Sequence, residues 1–134
     1  MAPDELAELL LQVSALVVEH RQTALAGLGL TPSLARALRA LEAGESVPMG
    51  ELACRLGCDA SNVTSIVTRL EARGFVRREV ARHDRRVKTL VITAEGITVR
   101  HRMADALACV PDPLARLPQP RRAALTRALR EVLQ

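Results

Sequence analysis

A run of small polar side chains occupies positions 61–69, in a segment whose apolar residues recur at helical spacing. Val63, Ile66, Val67 and Leu70 form the apolar side, because residues three and four apart lie on one face of a helix. The other positions form the polar face, and they are Ser61, Asn62, Thr64, Ser65, Thr68 and Arg69. Such groups match the donors, acceptors and thymine methyls that base edges present in the major groove of DNA. The segment therefore has the chemistry of a DNA-reading helix.

A basic hairpin is predicted directly after this helix. The β-rich runs "FVRREV" and "VKTLVIT" bracket the segment "ARHDRR", and this pattern is typical of two strands joined by a loop. The cations that we expect to contact DNA are Arg82, Arg85, Arg86 and Lys88. An arginine at the tip of such a hairpin can enter a narrow, electronegative minor groove. The hairpin is therefore predicted to be the wing of a winged helix-turn-helix.

The charge distribution agrees with a polyanionic partner. Residues 1–47 carry three arginines against six acids, whereas residues 48–93 carry nine basic groups against five acids, and residues 94–134 seven against four. Cations near phosphates release condensed counterions and so favour binding to nucleic acid. The charge by itself would also be explained by a basic surface exposed to solvent. The prediction of DNA binding therefore depends on the helix and hairpin patterns.

The predicted elements place the polar helix second in a helix-turn-helix. Gly57 separates two short helices, and Asp59 is a good N-cap for the second of them. The predicted helices, each counted with its capping residue, span residues 4 to about 26, 31–44, 49–56, 59–73, 93 to about 110, and about 120 to 133. The predicted fold is mainly α with a small β-hairpin wing, flanked by N- and C-terminal dimerisation helices.

Composition excludes several other classes of protein. The 134 residues include one aromatic, Phe75, so the core must be aliphatic. No apolar run approaches the roughly 20 residues that span a bilayer, and the N-terminus begins acidic rather than with a basic signal region. We expect a cytoplasmic protein with no membrane contact, whose three cysteines are reduced thiols.

The cysteines, histidines and carboxylates predict neither a metal site nor an active site. Cys54 and Cys58 have a spacing that can ligate zinc, with His83 or His101 as further ligands. Packing in the core is the favoured interpretation of both cysteines. No nucleophile triad, glycine-rich phosphate loop or paired-carboxylate motif is present, so we expect neither an enzyme, nor a metal site, nor a cofactor.

Three segments resemble the MarR-type transcriptional regulators. They are "LTPSLARALRAL", "MGELACRLGCDASNVTSIVTRLEARGFVRR" and "HDRRVKTLVITAEG", which together cover about Leu30 to Gly96. The resemblance implies that Asp84 braces the wing by pairing with a nearby arginine and that Arg85 or Arg86 reaches the minor groove. It also implies that the polar helix faces bases or phosphates, and that the first and last helices form a dimer.

The chain departs from two subgroups of that family. Peroxide-sensing members carry a reactive cysteine in the first helix, whereas the first cysteine here is Cys54. Members that respond to aromatic acids often line a cleft with aromatic rings, and one Phe cannot do this. A small aliphatic effector, or none, remains compatible with the sequence.

The sequence thus predicts two regions with different roles. Residues 1–30 and 97–134 form a helical dimerisation region, and residues 31–96 form the DNA-binding lobe. The predicted function is sequence-specific regulation of transcription, with repression favoured over activation. The protein is expected to bind a pseudo-palindromic operator in double-stranded DNA as a homodimer. The alternative is a winged-helix module that binds protein rather than DNA.

Overall fold

A computed structural model describes residues 3–134 and has the predicted, mainly helical architecture with a small sheet. Residues 1 and 2 of the predicted 1–30 region lie outside the described residues. In chain order the elements are α1 (Pro3–Gly27), α2 (Pro32–Arg39), β1 (Val47–Pro48), α3 (Met49–Leu56), α4 (Ala60–Ala72), β2 (Val76–Val80), β3 (Lys88–Ile92), α5 (Ala94–Ala108), α6 (Asp112–Ala115) and α7 (Gln119–Leu133).

The chain divides into two compact units. One comprises Gln22–Leu107, and the other comprises Met1–Arg21 together with Ala108–Gln134. The first unit therefore contains the helix-turn-helix and the sheet, and the second contains most of α1 and all of α7. Within residues 3–134, no helix combines the length and the apolarity needed to cross a membrane.

An aliphatic core holds the unit Gln22–Leu107 together. The inward side of α4 is the predicted one, since Val63, Ile66, Val67 and Leu70 are all buried. They join fully buried leucines and other apolar side chains from α2, α3, the sheet and α5: Leu34, Leu38, Leu52, Leu90 and Met103. Large aliphatic residues thus supply the burial that aromatic residues provide in other cores.

Helix α2 starts as predicted but ends earlier. The Thr31 hydroxyl accepts a hydrogen bond from the Leu34 amide at 3.3 Å, and Pro32 occupies the first helical position. The helix ends at Arg39 rather than at Gly44, because the following carbonyls are taken by side chains from elsewhere. Arg55 donates to the Ala40 carbonyl at 2.7 Å, and Arg100 donates to the Leu41 carbonyl.

The wing belongs to a three-stranded antiparallel sheet with the order β1–β3–β2. The predicted hairpin is confirmed, with Arg78 opposite Leu90 at its centre. The strand β1 was not predicted, because two residues that include Pro48 show no alternating pattern. Proline is tolerated there because β1 is an edge strand. The four-residue helix α6 was also missed, since the "PDP" segment indicated only a break.

Cys54 corrects one prediction about the core. Its side chain is exposed rather than packed. The buried residues of α3 are Leu52 and Leu56, four positions apart. Cys54 lies two residues after Leu52, which is more than half a turn around the helix, so its side chain faces solvent.

Thr93 and Gly96 join the sheet to α5. The Thr93 hydroxyl accepts from the Gly96 amide at 3.0 Å and donates to the Gly74 carbonyl at 2.6 Å, so the predicted cap is confirmed. Gly96 is buried against the preceding turn. A Cβ atom at this position would lie 2.1 Å from the Phe75 carbonyl oxygen and 2.7 Å from Ile92 Cγ1.

We expect Gly96→Ala to destabilise the protein although alanine is the better helix former. Helix propensity alone would stabilise by about 1 kcal/mol, but the clash with main-chain atoms costs about 1–3 kcal/mol or more. Gly50→Ala is the matched control, because an added Cβ meets nothing within 4 Å there. Urea denaturation should give a loss of stability for Gly96→Ala and no loss for Gly50→Ala. Equal gains would contradict the close approach at Gly96.

Candidate nucleic-acid interface

The N-terminus of α4 is built around Asp59. The Asp59 carboxylate accepts from the Asn62 amide and from the Ser61 hydroxyl, both at 2.9 Å. Both hydrogen bonds lower the pKa of Asp59, and the one from the Asn62 amide has the larger effect. Gly57 makes the preceding turn in the left-handed conformation, at φ +62°. The sharp turn and the cap fix where the polar face of α4 begins.

All six predicted contact residues of α4 are exposed, and they fall into two groups. Three hydroxyls already have protein partners: Ser61 donates to Asp59, Thr64 donates to the Ala60 carbonyl at 2.9 Å, and Thr68 accepts from Arg78 Nη2 at 2.7 Å. The side chains of the other three make no hydrogen bond within residues 3–134: Asn62, Ser65 and Arg69. The second group is therefore free to bind a ligand.

The loop of the wing is ordered by Asp84. Its carboxylate accepts from the Arg86 amide at 2.9 Å and lies 3.4 Å from the Nε of the same residue. The Val87 amide donates to the Asp84 carbonyl at 3.1 Å, and the Ala81 amide donates to the Val87 carbonyl at 2.9 Å. The Arg86 side chain is nonetheless 93% exposed. Asp84 thus shapes the loop while the guanidinium of Arg86 remains largely in solvent.

The other predicted cations of the wing are unpaired. Arg82, Arg85 and Lys88 are exposed, and the described part of the chain offers them no ion-pair partner. Their positive charges are therefore not neutralised by the protein itself.

Two other arginines between α4 and the wing loop, Arg73 and Arg77, already have partners within the protein. Arg73 donates to the carbonyls of Leu28, at 3.1 Å, and of Gly29, and lies over the Phe75 ring at 4.7 Å. Arg77 pairs with Glu79 at 2.9 Å. The sequence could not separate Arg73 from the arginines of the wing, because its partners are main-chain atoms more than forty residues away.

Arg78 links the wing to α4, which sequence reasoning missed. Besides Thr68, it contacts Glu71: the Arg78 amide donates to Glu71 Oε2 at 3.3 Å, and Arg78 Nε lies 3.7 Å from Glu71 Oε1. The only signal in the sequence was the presence of opposite charges seven residues apart across the glycine turn. The two predicted DNA-contacting elements are therefore joined by side-chain contacts.

Helix α3 is held by a second arginine network. Arg55 contacts Glu45 at 2.7 Å and Glu51 at 2.8 Å. Hydrogen bonds to these carboxylates raise the pKa of Arg55, and the bond from Arg55 lowers the pKa of Glu45. This network fastens α3 to the segment after α2, and so supports the helix that precedes the turn.

Among the described residues, this surface holds neither a metal cluster nor a cysteine pair. Within the described residues, no three or more His, Cys, Asp and Glu side chains are grouped so that they could hold a metal ion. Cys58 is partly buried against the core, in agreement with its predicted packing, and its thiol lies 3.6 Å from the Leu56 carbonyl.

A cavity of about 520 Å³ lies elsewhere in the same unit. Its walls include Leu28, Phe75 and Val99, together with the charged residues Arg73, Glu95 and Arg102. Both apolar and charged groups line it, and its size falls within the range of small-molecule sites.

The comparison with known proteins decides the family. The model of the MarR family matches residues 28–87, which include the helix-turn-helix, β2 and the wing loop. The winged helix-turn-helix of this chain belongs to the MarR family. The resemblance found in the three sequence segments is thereby confirmed.

Two known proteins are similar to this chain beyond the matched segment. The transcriptional repressor MprA of Escherichia coli strain K12 is 34% identical over 93 residues, which is 68% of this chain and 53% of MprA. This chain thus spans about half the length of that curated relative. The structure of YusO from Bacillus subtilis has a TM-score of 0.83 at 23% identity, covering 100% of this chain and 98% of YusO.

A DNA-bound structure is also similar. The transcriptional repressor CouR, bound to a 23-mer DNA duplex, has a TM-score of 0.68 at 27% identity, and the match covers 100% of this chain and 99% of CouR. The likeness to YusO and CouR extends over the full described chain, including α1 and α7.

We expect the cap of α4 to depend on pH in a defined direction. Because the folded pKa of Asp59 is lowered, its ionised form stabilises the protein fully above the unfolded pKa of about 3.9. That contribution is lost as the pH falls through the lower pKa that Asp59 has in the folded protein. The difference in Tm between wild type and Asp59→Ala should therefore be largest near pH 7 and shrink below pH of about 4.

Asp59→Asn provides the matched control. It keeps a capping oxygen but cannot titrate, so the difference in Tm between Asp59→Asn and Asp59→Ala should not change with pH. A wild-type advantage over Asp59→Ala that grows on acidification would show that the Asp59 carboxylate does not cap α4.

Proposed function

We propose that this chain is a transcriptional regulator that binds double-stranded DNA sequence-specifically and acts as a repressor. The observation that carries the proposal is the juxtaposition of two free surfaces. The exposed groups of Asn62, Ser65 and Arg69 on α4 lie beside a wing whose Arg82 and Arg85 have no protein partner in the described chain. Uncommitted hydrogen-bonding groups and unneutralised cations on adjoining elements suit base edges and phosphates together.

The two elements divide the work of recognition. Helix α4 enters the major groove, where Asn62, Ser65 and Arg69 contact base edges or nearby phosphates. Ser61 and Thr64 lie at neighbouring exposed positions of the helix. The wing lies along the backbone and directs Arg85 or Arg86 into the minor groove, with Arg82 and Lys88 near phosphates. Asp84 braces the wing through its hydrogen bond to the Arg86 amide.

The relatives support the direction of regulation. MprA and CouR are both named transcriptional repressors, and CouR was captured on a DNA duplex. A repressor needs only to occupy its operator, and the surface described above supplies what occupancy requires. We place the protein in the cytoplasm, where it would have access to DNA.

A homodimer completes the proposal. Apolar side chains are exposed along both ends of the chain: Leu6, Leu9, Leu10, Leu11, Val13, Leu16, Leu125, Leu129, Val132 and Leu133. Such extensive apolar surface on α1 and α7 is typical of an interface. The first and last helices would therefore form the dimer, and two-fold symmetry would call for operator half-sites about 10 bp apart.

The cavity beside Phe75 is our candidate site for a small effector. It combines apolar walls with the Arg102 guanidinium, which has no hydrogen-bond or ion-pair partner in the described chain. The effector would be a small, largely aliphatic molecule, because Phe75 is the only aromatic residue available to it.

We expect two variants to separate the roles of wing and helix. Arg85→Ala removes a cation, so it should weaken binding to every duplex and make the slope of log K against log salt shallower by about one. Asn62→Ala removes short-range hydrogen bonds, so it should cost about 1–3 kcal/mol on the preferred site and leave binding to random DNA nearly unchanged. Titrations at several salt concentrations measure both effects.

Arg116→Ala is the control for loss of charge alone. Arg116 is exposed but follows α6, outside the proposed interface, so the salt slope should stay at the wild-type value. If wild-type protein binds no duplex, or if all three variants behave alike, the winged helix serves another purpose, and a protein-binding module becomes the better description.

The dimer is tested by charge substitution. Leu16→Glu places a carboxylate in the exposed apolar stripe of α1 and should convert the dimer to a monomer at micromolar concentration, as measured by analytical ultracentrifugation. Val80→Glu is the matched control, because Val80 is equally apolar and is exposed on β2, far from the stripe in sequence. Wild-type protein that sediments as a monomer would contradict the proposed interface.

A further inference from the structure

The contact between Arg78 and α4 has a geometry that differs from an ordinary surface ion pair. Arg78 Nη2 donates to the Thr68 hydroxyl at 2.7 Å. The Arg78 amide donates to Glu71 Oε2 at 3.3 Å, and its Nε lies 3.7 Å from Glu71 Oε1. Three separate groups of one residue thus face two residues of the last turns of α4.

Arg78 is held through both its backbone and its side chain. It lies at the centre of β2, opposite Leu90, which is fully buried in the core. Its side chain is 28% exposed, and its Nε is buried without a hydrogen-bond partner. Because β2 is an edge strand of the sheet, the Arg78 amide would otherwise lack a protein partner. The bond to Glu71 therefore also completes the edge of the sheet.

Thr68 lies on the side of α4 that faces the wing. Residues three and four apart form rows along a helix, so Thr64, Thr68 and Glu71 make one row, and Asn62, Ser65 and Arg69 make another. The first row contains both contacts to Arg78. The second row contains the three side chains that have no hydrogen-bond partner among the described residues. The exposed face of α4 is thus divided between attachment and recognition.

We propose that Arg78 is a positioning residue for DNA recognition, which fixes α4 relative to the wing by holding the Thr68 hydroxyl and the Glu71 carboxylate. This inference rests on the proposed function. Thr68, which the sequence predicted as a contact to bases, then serves as an attachment point within the protein. Arg78 itself contributes to specificity without reading a base.

The physical reason lies in binding to two grooves at once. Helix α4 and the wing must enter adjacent grooves at a fixed distance and angle, and any freedom between them is lost on binding as entropy. A link already made in the free protein removes that loss. Its absence should therefore weaken binding to a specific site, where both elements bind in register. Binding to random DNA, which phosphate contacts dominate, should change little.

A pair of substitutions at Thr68 separates the hydroxyl from the methyl group. Thr68→Ser keeps the acceptor for Arg78 and loses the methyl, whereas Thr68→Val keeps the methyl and loses the acceptor. We expect Thr68→Ser to bind like wild type. We expect Thr68→Val to bind the specific site about tenfold more weakly, as for the loss of one hydrogen bond to a charged group. The probes are a duplex selected from random sequence by the wild-type protein and a random duplex of equal length.

The second arm is a double-mutant cycle with Arg78→Met. If Thr68 acts through Arg78, Thr68→Val has no further effect once Arg78 is replaced. If Thr68 contacts a base directly, its tenfold effect persists in the Arg78→Met background, and the proposal fails. It also fails if Thr68→Ser is impaired and Thr68→Val is not, because the methyl is then the group that matters. Thermal denaturation of each variant shows whether it folds. If Arg78→Met does not fold, the comparison of Thr68→Ser with Thr68→Val still tests the proposal.

The salt dependence of binding distinguishes a positioning role for Arg78 from a direct contact to phosphate. Arg78→Met should leave the slope of log K against log salt unchanged, because the guanidinium is engaged with protein. A slope shallower by about one would assign Arg78 to a phosphate and overturn its positioning role. Wild-type protein without preference for any duplex would overturn the proposed function and this inference together, whereas wild-type preference without coupling overturns the inference alone.

Discussion

The burial of one side of α4 is the constraint on which the rest of the recognition surface depends. Val63, Ile66, Val67 and Leu70 are held in an aliphatic core, and their spacing fixes the rotation of the helix about its axis. Every other side chain of α4 then points to solvent or to the wing. Since aliphatic packing is dense and tolerates little rearrangement, the polar face is presented in one orientation. The DNA-reading role proposed for this helix requires that rigidity.

Arginine side chains then determine which parts of this surface are free to bind. Arg36, Arg55, Arg73 and Arg100 each donate to a main-chain carbonyl that a helix end or a turn leaves without a partner. Such bonds give protein partners to carbonyls that the local backbone does not pair. Arg82 and Arg85 make no such contact among residues 3–134. Arginine thus stabilises the fold in the body of the protein, whereas two arginines of the wing loop remain free.

Local patterns explain which features the sequence could predict. The helix boundaries at Thr31, Gly57, Asp59 and Thr93 are encoded within a few residues, and so are the apolar face of α4 and the two strands of the wing. The early end of α2 depends on Arg55 and Arg100, which come from distant helices. The attachment of Thr68 depends on Arg78, which lies ten residues later on β2. Both are tertiary effects, which periodicity within one segment does not contain. Cys54 was wrongly placed in the core because its small size was given more weight than its position relative to Leu52.

Selection of bound fragments from genomic DNA, with the purified full chain, tests the central claim most directly. If α4 and the wing bind DNA as proposed, the selection should enrich a pseudo-palindromic sequence whose half-sites lie about 10 bp apart. This spacing is expected for a symmetric dimer that binds successive turns on one face of the duplex. Enrichment of such a motif over random DNA is the result that this account predicts. Fragments recovered without any shared sequence would contradict it, because the polar face of α4 would then not read bases.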